Sequence, residues 1–293
     1  MFGLQWSICF LAVAAFATAQ VPSATLGPSC QDIESPPARS TENEMGLRTL
    51  RAEWTVGKKL SADAERNATI MVDPATTQYL NRIGQALIHN AGLKGCFTVK
   101  VIKDVTPNAY SLPGGFLYVT SRLILMADDE SELAAALAHE IAHVNARHFT
   151  RINHRRRVGG QLALVGGPAG YLTRRLFGPL VTLKLQRNSE YDADRLGFSY
   201  LSASGYDPTA IVRLLQSAFE DDPQAPFFDR LFDTHPLTTT RVKRLNRMAR
   251  RSAPRDADYV VDTDEFQNIR ARVSLLTNIP ISNDDDQPAS GSE

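Results

Sequence analysis

The stretch that decides the fold is DDESELAAALAHEIAHVNARH, residues 128–148. Leu133, Leu137, Ile141 and Val144 recur three or four positions apart, the spacing of one helical face. Asp128-Asp129 stands at its start. Together these predict a helix that opens at Asp128 and runs through residue 148 or beyond. Inside it stands His139-Glu140-Ile141-Ala142-His143. Four residues turn an α-helix by about 400° and raise it by about 6 Å, so both imidazoles project from one face. That spacing lets two ring nitrogens meet one Zn²⁺. Glu140 lies beside such an ion without being forced to bind it, which suits a base acting on metal-bound water.

A catalytic zinc needs a third protein ligand and an open position. A second helix, expected over about 185–203 and stopping at Gly205, carries Glu190-Tyr191-Asp192-Ala193-Asp194. Glu190 and Asp194 are four apart and share a face. One carboxylate completes the ligand set, and the other accepts the spare N–H of a ligating histidine, fixing its tautomer. The residue types leave open which does which. Further on, His235 stands in Thr234-His235-Pro236 and Arg241 follows six residues later. Either is a candidate donor to the oxyanion of a tetrahedral intermediate. His235 has a second possible role, closing the open metal position.

Working outward, Asn43 to Leu60 reads as helical, and Asp73-Pro74 starts a helix holding Leu80, Ile83, Leu87 and Ile88. Phe97 to Lys103 alternates as a strand, and Leu117 to Thr120 is a second, entered through Pro113-Gly114-Gly115. Asp207-Pro208 starts another helix, and a basic helix with Val242, Leu245 and Met248 follows Pro236. The order predicts an α+β fold, a small sheet beside a mainly helical body. With 293 residues, 43% of them hydrophobic, the chain is long enough for a substantial core. Thirty-two basic residues balance thirty-two acidic ones, which argues against a general nucleic-acid binder. Three cysteines exclude a disulfide framework.

Ile8 to Ala19 is a short apolar run ending in Ala17-Thr18-Ala19, which reads as a signal peptide cleaved after Ala19. Export, to the periplasm, is the expectation; the alternatives are an N-terminal anchor or lipidation of Cys30. Cys30 and Cys96 are either disulfide-bonded or two separate thiols. The domain plan is a signal peptide over 1–19, a linker over 20–42 and a catalytic domain over 43–252. A C-terminal extension over 253–282 and a disordered acidic tail over 283–293 follow. From Arg147 to Arg187 there are nine basic residues and no acidic one, around a glycine-rich apolar stretch. That composition suits peripheral contact with an anionic membrane, or else a basic helix end and a loop over the cleft.

HEIAH at 139–143, EYDAD at 190–194 and THP at 234–236 fall in order, preceded by PNAYSLPGG at 107–115 and FLYVTSRLI. In this combination the chain resembles the HtpX and CAAX-endoprotease family of gluzincin metallopeptidases, and is most similar to its soluble BepA-like and Oma-like branch. The resemblance covers roughly residues 45–250. It implies a zincin-like fold with an edge strand in a small mixed sheet. It also implies one Zn²⁺ held by His139, His143 and Glu190, with Glu140 as general base and acid and Asp194 behind a ligand. His235 becomes a transition-state donor or a resting fourth ligand. Asn108 and Ala109 fall where related enzymes pair with substrate backbone, and Gly114 and Gly115 are assigned with them to substrate binding. The function implied is a zinc endopeptidase acting on exported or misfolded polypeptides. The competing reading is a zinc-bound, chaperone-like binding protein that rarely cuts, gated by His235.

Overall fold

The computed structural model describes residues 44–93, 97–155, 186–220, 239–252 and 258–281. Two helices open it, α1 (Glu44–Asn67) and α2 (Pro74–Asn90), followed by β1 (Thr98–Ile102), β2 (Ala109–Leu112) and β3 (Phe116–Thr120). Then come α3 (Ser121–Met126), α4 (Glu130–Asn145), α5 (148–155) and α6 (186–203). The last helices are α7 (Ala210–Glu220), α8 (Thr239–Ser252) and α9 (Asp264–Thr277). The architecture is the expected α+β one, a small mixed sheet against a helical body.

The sheet runs in the order β1-β3-β2, with β1 parallel and β2 antiparallel to β3. Val99 and Val101 of β1 point into the core, as the alternation of FTVKVIK requires. The opposite face is covered by α1, whose Glu65 accepts from Lys100 and from the Tyr118 hydroxyl at 2.7 and 2.6 Å. β2, at the sheet edge, is too short and too polar for the alternation rule to find. The turn between β2 and β3 needs Gly114 and Gly115 at φ 83° and 93°. α1 closes on that turn: a Cβ on Gly57 would stand 1.7 Å from the Pro113 carbonyl oxygen, so only glycine permits the approach.

Helix α4 is the centre of the body. Asp129 caps it, accepting from the Glu132 N–H at 2.9 Å. α2 and β2 pack on α4, as does α7, and Ala134, Ala135, Ala138 and Ala142 are fully buried. At its first turn the buried Glu130 accepts hydroxyls from Tyr79 at 2.9 Å and Tyr206 at 2.7 Å, and a third from Thr263. One carboxylate thus ties α2, the α6–α7 connection and the cap of α9 to the helix that carries the site. The expected unbroken run through residue 148 is corrected. α4 ends at Asn145, Arg147 takes the left-handed φ of 55°, and the chain re-enters a helix at 148. Neither Ala146 nor Arg147 carries a breaker signal, so periodicity could not show the interruption.

The segment read as a C-terminal extension buries Phe266, Ile269 and Val273 of α9 in the common core, against α3 and α2. Its Arg272 also reaches back to Asp73, the cap of α2, at 2.6–3.0 Å, while Thr76 N–H donates to the same carboxylate at 3.0 Å. Arg272 and the Thr76 donors hold the Asp73 carboxyl far below the usual range against its burial. Asp73→Ala is expected to cost about 1 kcal/mol from the lost cap alone. Because the folded pKa is depressed, this stabilisation is complete above the unfolded value of about 3.9 and fades as pH falls through the folded one. Urea unfolding of parent and variant should therefore differ at pH 6, and the gap should narrow progressively as pH falls below about 4; a difference that grows with acidity would refute the assignment.

Candidate metal centre and substrate cleft

α6 crosses α4 where Gly197 meets His139. A Cβ on Gly197 would lie 3.3 Å from the His139 backbone nitrogen, so the small residue allows the close approach. Asp194 and Glu190 lie one and two turns before Gly197 on the same face of α6. They are thereby carried to the two histidines of α4.

His139, His143 and Glu190 form a group that can hold a metal ion, each offering one ligand atom. The Nε2 atoms of His139 and His143 are 3.1 Å apart, and lie 3.3 and 3.4 Å from the two oxygens of Glu190. Donors bound at about 2.0–2.1 Å around a tetrahedral ion stand about 3.4 Å from one another; the two Nε2 atoms lie near that spacing, and one ligand atom from each of the three residues lies within 4.8 Å of the others. Asp194 lies on the far side of His139, its Oδ1 3.2 Å from Nδ1. The two carboxylates are placed differently: Glu190 faces both Nε2 atoms, and Asp194 lies behind the His139 ring.

Burial disfavours a charged His139, but Asp194 and Glu190 outweigh it and push its pKa up to about 9. Arg241 of α8 is itself buried. It donates to both oxygens of Asp194 at 2.8 and 2.6 Å, and its Nη1 is 3.1 Å from Glu190. Burial would raise the Asp194 pKa, yet Arg241 and His139 hold it low.

Glu140 is buried at the cleft floor, and the Ser111 hydroxyl of β2 donates to its Oε2 at 2.8 Å. The cleft has a volume of about 310 Å³ and runs between β2 and the α4–α5 corner, past Ser111, Leu112, Val144, Phe149 and Ile152. Asn108 backbone groups are engaged with Thr120, and the Ala109 side chain is buried opposite Val119. Gly114 lines the cleft; the Gly115 carbonyl accepts from Thr98 N–H inside the fold. His235, Cys30, Cys96 and residues 156–185 lie outside the described residues.

Two residues escaped the sequence reading. Ser111 sits in a strand that carried no clear signal. His148 is 4% exposed, with its Nδ1 3.0 Å from His143 Nδ1 and its Nε2 3.3 Å from Asp192 Oδ2. Its nearness to the HEIAH motif, five residues past His143, was the available hint.

A model of peptidase family M48 matches residues 74–249, more than half of the chain and every residue of the site just described. The chain belongs to peptidase family M48. It is 28% identical over 245 residues to a protein of Escherichia coli (strain K12) named beta-barrel assembly-enhancing protease, covering 78% of this chain and 50% of that protein. The protein of the same name from Yersinia pestis is 29% identical over 231 residues, covering 72% and 48%. The mitochondrial metalloendopeptidase OMA1 of Schizosaccharomyces pombe is 31% identical over 175 residues, covering 58% and 52%. The chain spans about half the length of the curated relatives it matches. α1 and α9 lie outside the stretch that the M48 model matches, although both pack onto the same body. Among the described residues no helix is long and apolar enough to cross a membrane.

Proposed function

We propose that this M48 chain is a zinc-dependent endopeptidase acting on exported or misfolded polypeptides. The observation that carries the reading is the convergence of His139, His143 and Glu190 to within 3.4 Å, with Glu140 beside them at the floor of an open cleft. Two imidazoles and a carboxylate are a donor set typical of catalytic zinc. When bound, the ion supplies a Lewis acid and lowers the pKa of water. Glu140 takes the proton of the attacking water and passes it to the leaving amine. Ser111 steers the Glu140 carboxylate through its hydroxyl. Arg241, already shared between Asp194 and Glu190, serves to hold those carboxylates in place, which supports a positioning role over donation to an oxyanion. β2, the edge strand beside Glu140, suits an extended peptide adding as a further strand. Export rests on the apolar run ending at Ala19.

The test is metal content together with cleavage of an unstructured protein. The purified chain should hold stoichiometric zinc and cleave. A chelator should abolish cleavage, and added Zn²⁺ should restore it. A zinc-loaded chain that leaves unstructured protein intact would overturn the endopeptidase reading in favour of a binding protein.

A further inference from the structure

Each candidate ligand histidine has two ring nitrogens, and the metal takes only one. For both rings the nitrogen facing Glu190 is Nε2, so Nδ1 must carry the proton and donate it. His139 Nδ1 faces Asp194 Oδ1 at 3.2 Å, and Arg241 holds that carboxylate. His143 is backed by an imidazole. Its Nδ1 faces the Nδ1 of His148 at 3.0 Å. Two unprotonated nitrogens, or two protonated ones, cannot share that contact. With the proton on His143, His148 must accept at Nδ1 and keep its own proton on Nε2. That nitrogen faces Asp192 Oδ2 at 3.3 Å, and Arg195 holds the other oxygen of Asp192 at 2.9 Å. The two ligands are therefore backed by parallel chains, His139–Asp194–Arg241 and His143–His148–Asp192–Arg195, the second longer by one imidazole.

The backbone is arranged for this contact. A helix continuing straight past Asn145 would set position 148 about 140° around the axis from His143 and more than a turn beyond it. The left-handed Arg147 instead starts α5 at a new angle and leaves His148 buried against His143. A non-glycine residue in that region is uncommon, and the surrounding structure must offset its strain.

We propose that His148, backed by Asp192, is the positioning residue of His143: it fixes the tautomer and ring plane that present Nε2 to the metal. The inference rests on the metal reading above and goes beyond it. A partner behind a ligating histidine typically governs metal affinity by about 10–100-fold.

The experiment measures Zn²⁺ affinity of the full chain by competition with a chromogenic chelator, alongside thermal unfolding of the metal-free protein. His148→Phe keeps the ring but removes both nitrogens, and should weaken Zn²⁺ binding by about 10–100-fold. His148→Asn places an amide oxygen where Nδ1 accepts, and should recover much of that loss. Asp192→Asn, on a more exposed side chain, should weaken binding several-fold and gives the answer if the Phe variant does not fold. A purely structural His148 would lower the metal-free midpoint in both His148 variants while leaving affinity unmoved. Parent affinity in the folded Phe variant, or in Asp192→Asn if only that one folds, overturns the proposal. Glu190→Ala is the control for the metal reading itself. If neither it nor the parent binds Zn²⁺, that reading fails together with this one; if the parent binds and Glu190→Ala does not, a failure belongs to His148 alone.

Discussion

Glu140→Gln should leave metal content unchanged and cut peptide hydrolysis on the order of 10³-fold. The amide has nearly the size of the carboxylate and can still contact Ser111, so packing at the floor of the cleft survives. It cannot take a proton from water at neutral pH, and it has none to return to the leaving amine in the same cycle. Both proton transfers fail together, which places the loss in kcat rather than in KM. The side chain is not one of the three that converge on the metal position, so zinc should remain. Metal analysis and cleavage of an unstructured protein check the two halves separately. A metal-replete Glu140→Gln chain with full activity would refute the general-base role.

Arg241→Ala should destabilise the metal-free chain by about 3–5 kcal/mol, the cost of leaving buried charges without their partner. Arg241 is 3% exposed, as are both carboxylates it serves, Asp194 and Glu190. Taking away the guanidinium leaves these two facing each other across His139. Asp194→Asn in the same chain should recover part of the loss, because it removes one of the stranded charges. Urea unfolding in the presence of a chelator measures both. A loss below about 1 kcal/mol would mean that water replaces the guanidinium easily and that Arg241 is not what holds the carboxylates. The positioning role also predicts weaker zinc binding in Arg241→Ala, through the freed Asp194 and its grip on His139.

Local rules carried a good part of this site. His139 and His143 share a face because four residues make slightly more than one helical turn, whatever the rest of the chain does. The capping aspartate at 73 was legible for the same reason, since it acts on its own first turn. β2 was not legible from alternation, because four residues give too short a pattern. It was placed near its true position only through resemblance, at Asn108 and Ala109. The break at Arg147 was hidden because no residue there forbids a helix; the surroundings impose it.

By itself the sequence determined that two imidazoles and a carboxylate pair lie on two separate helical faces, since that depends only on the pitch of each helix. It did not determine how those faces meet. Glu190 rather than Asp194 faces both Nε2 atoms where α6 crosses α4 at Gly197, and such a crossing depends on the packing of both helices at once. Arg241 meets Asp194 and Glu190 where α8 approaches α6, and the turn at Arg147 sets His148 between His143 and Asp192. Each of these contacts joins separately placed pieces of backbone, and no period along a single segment can encode it.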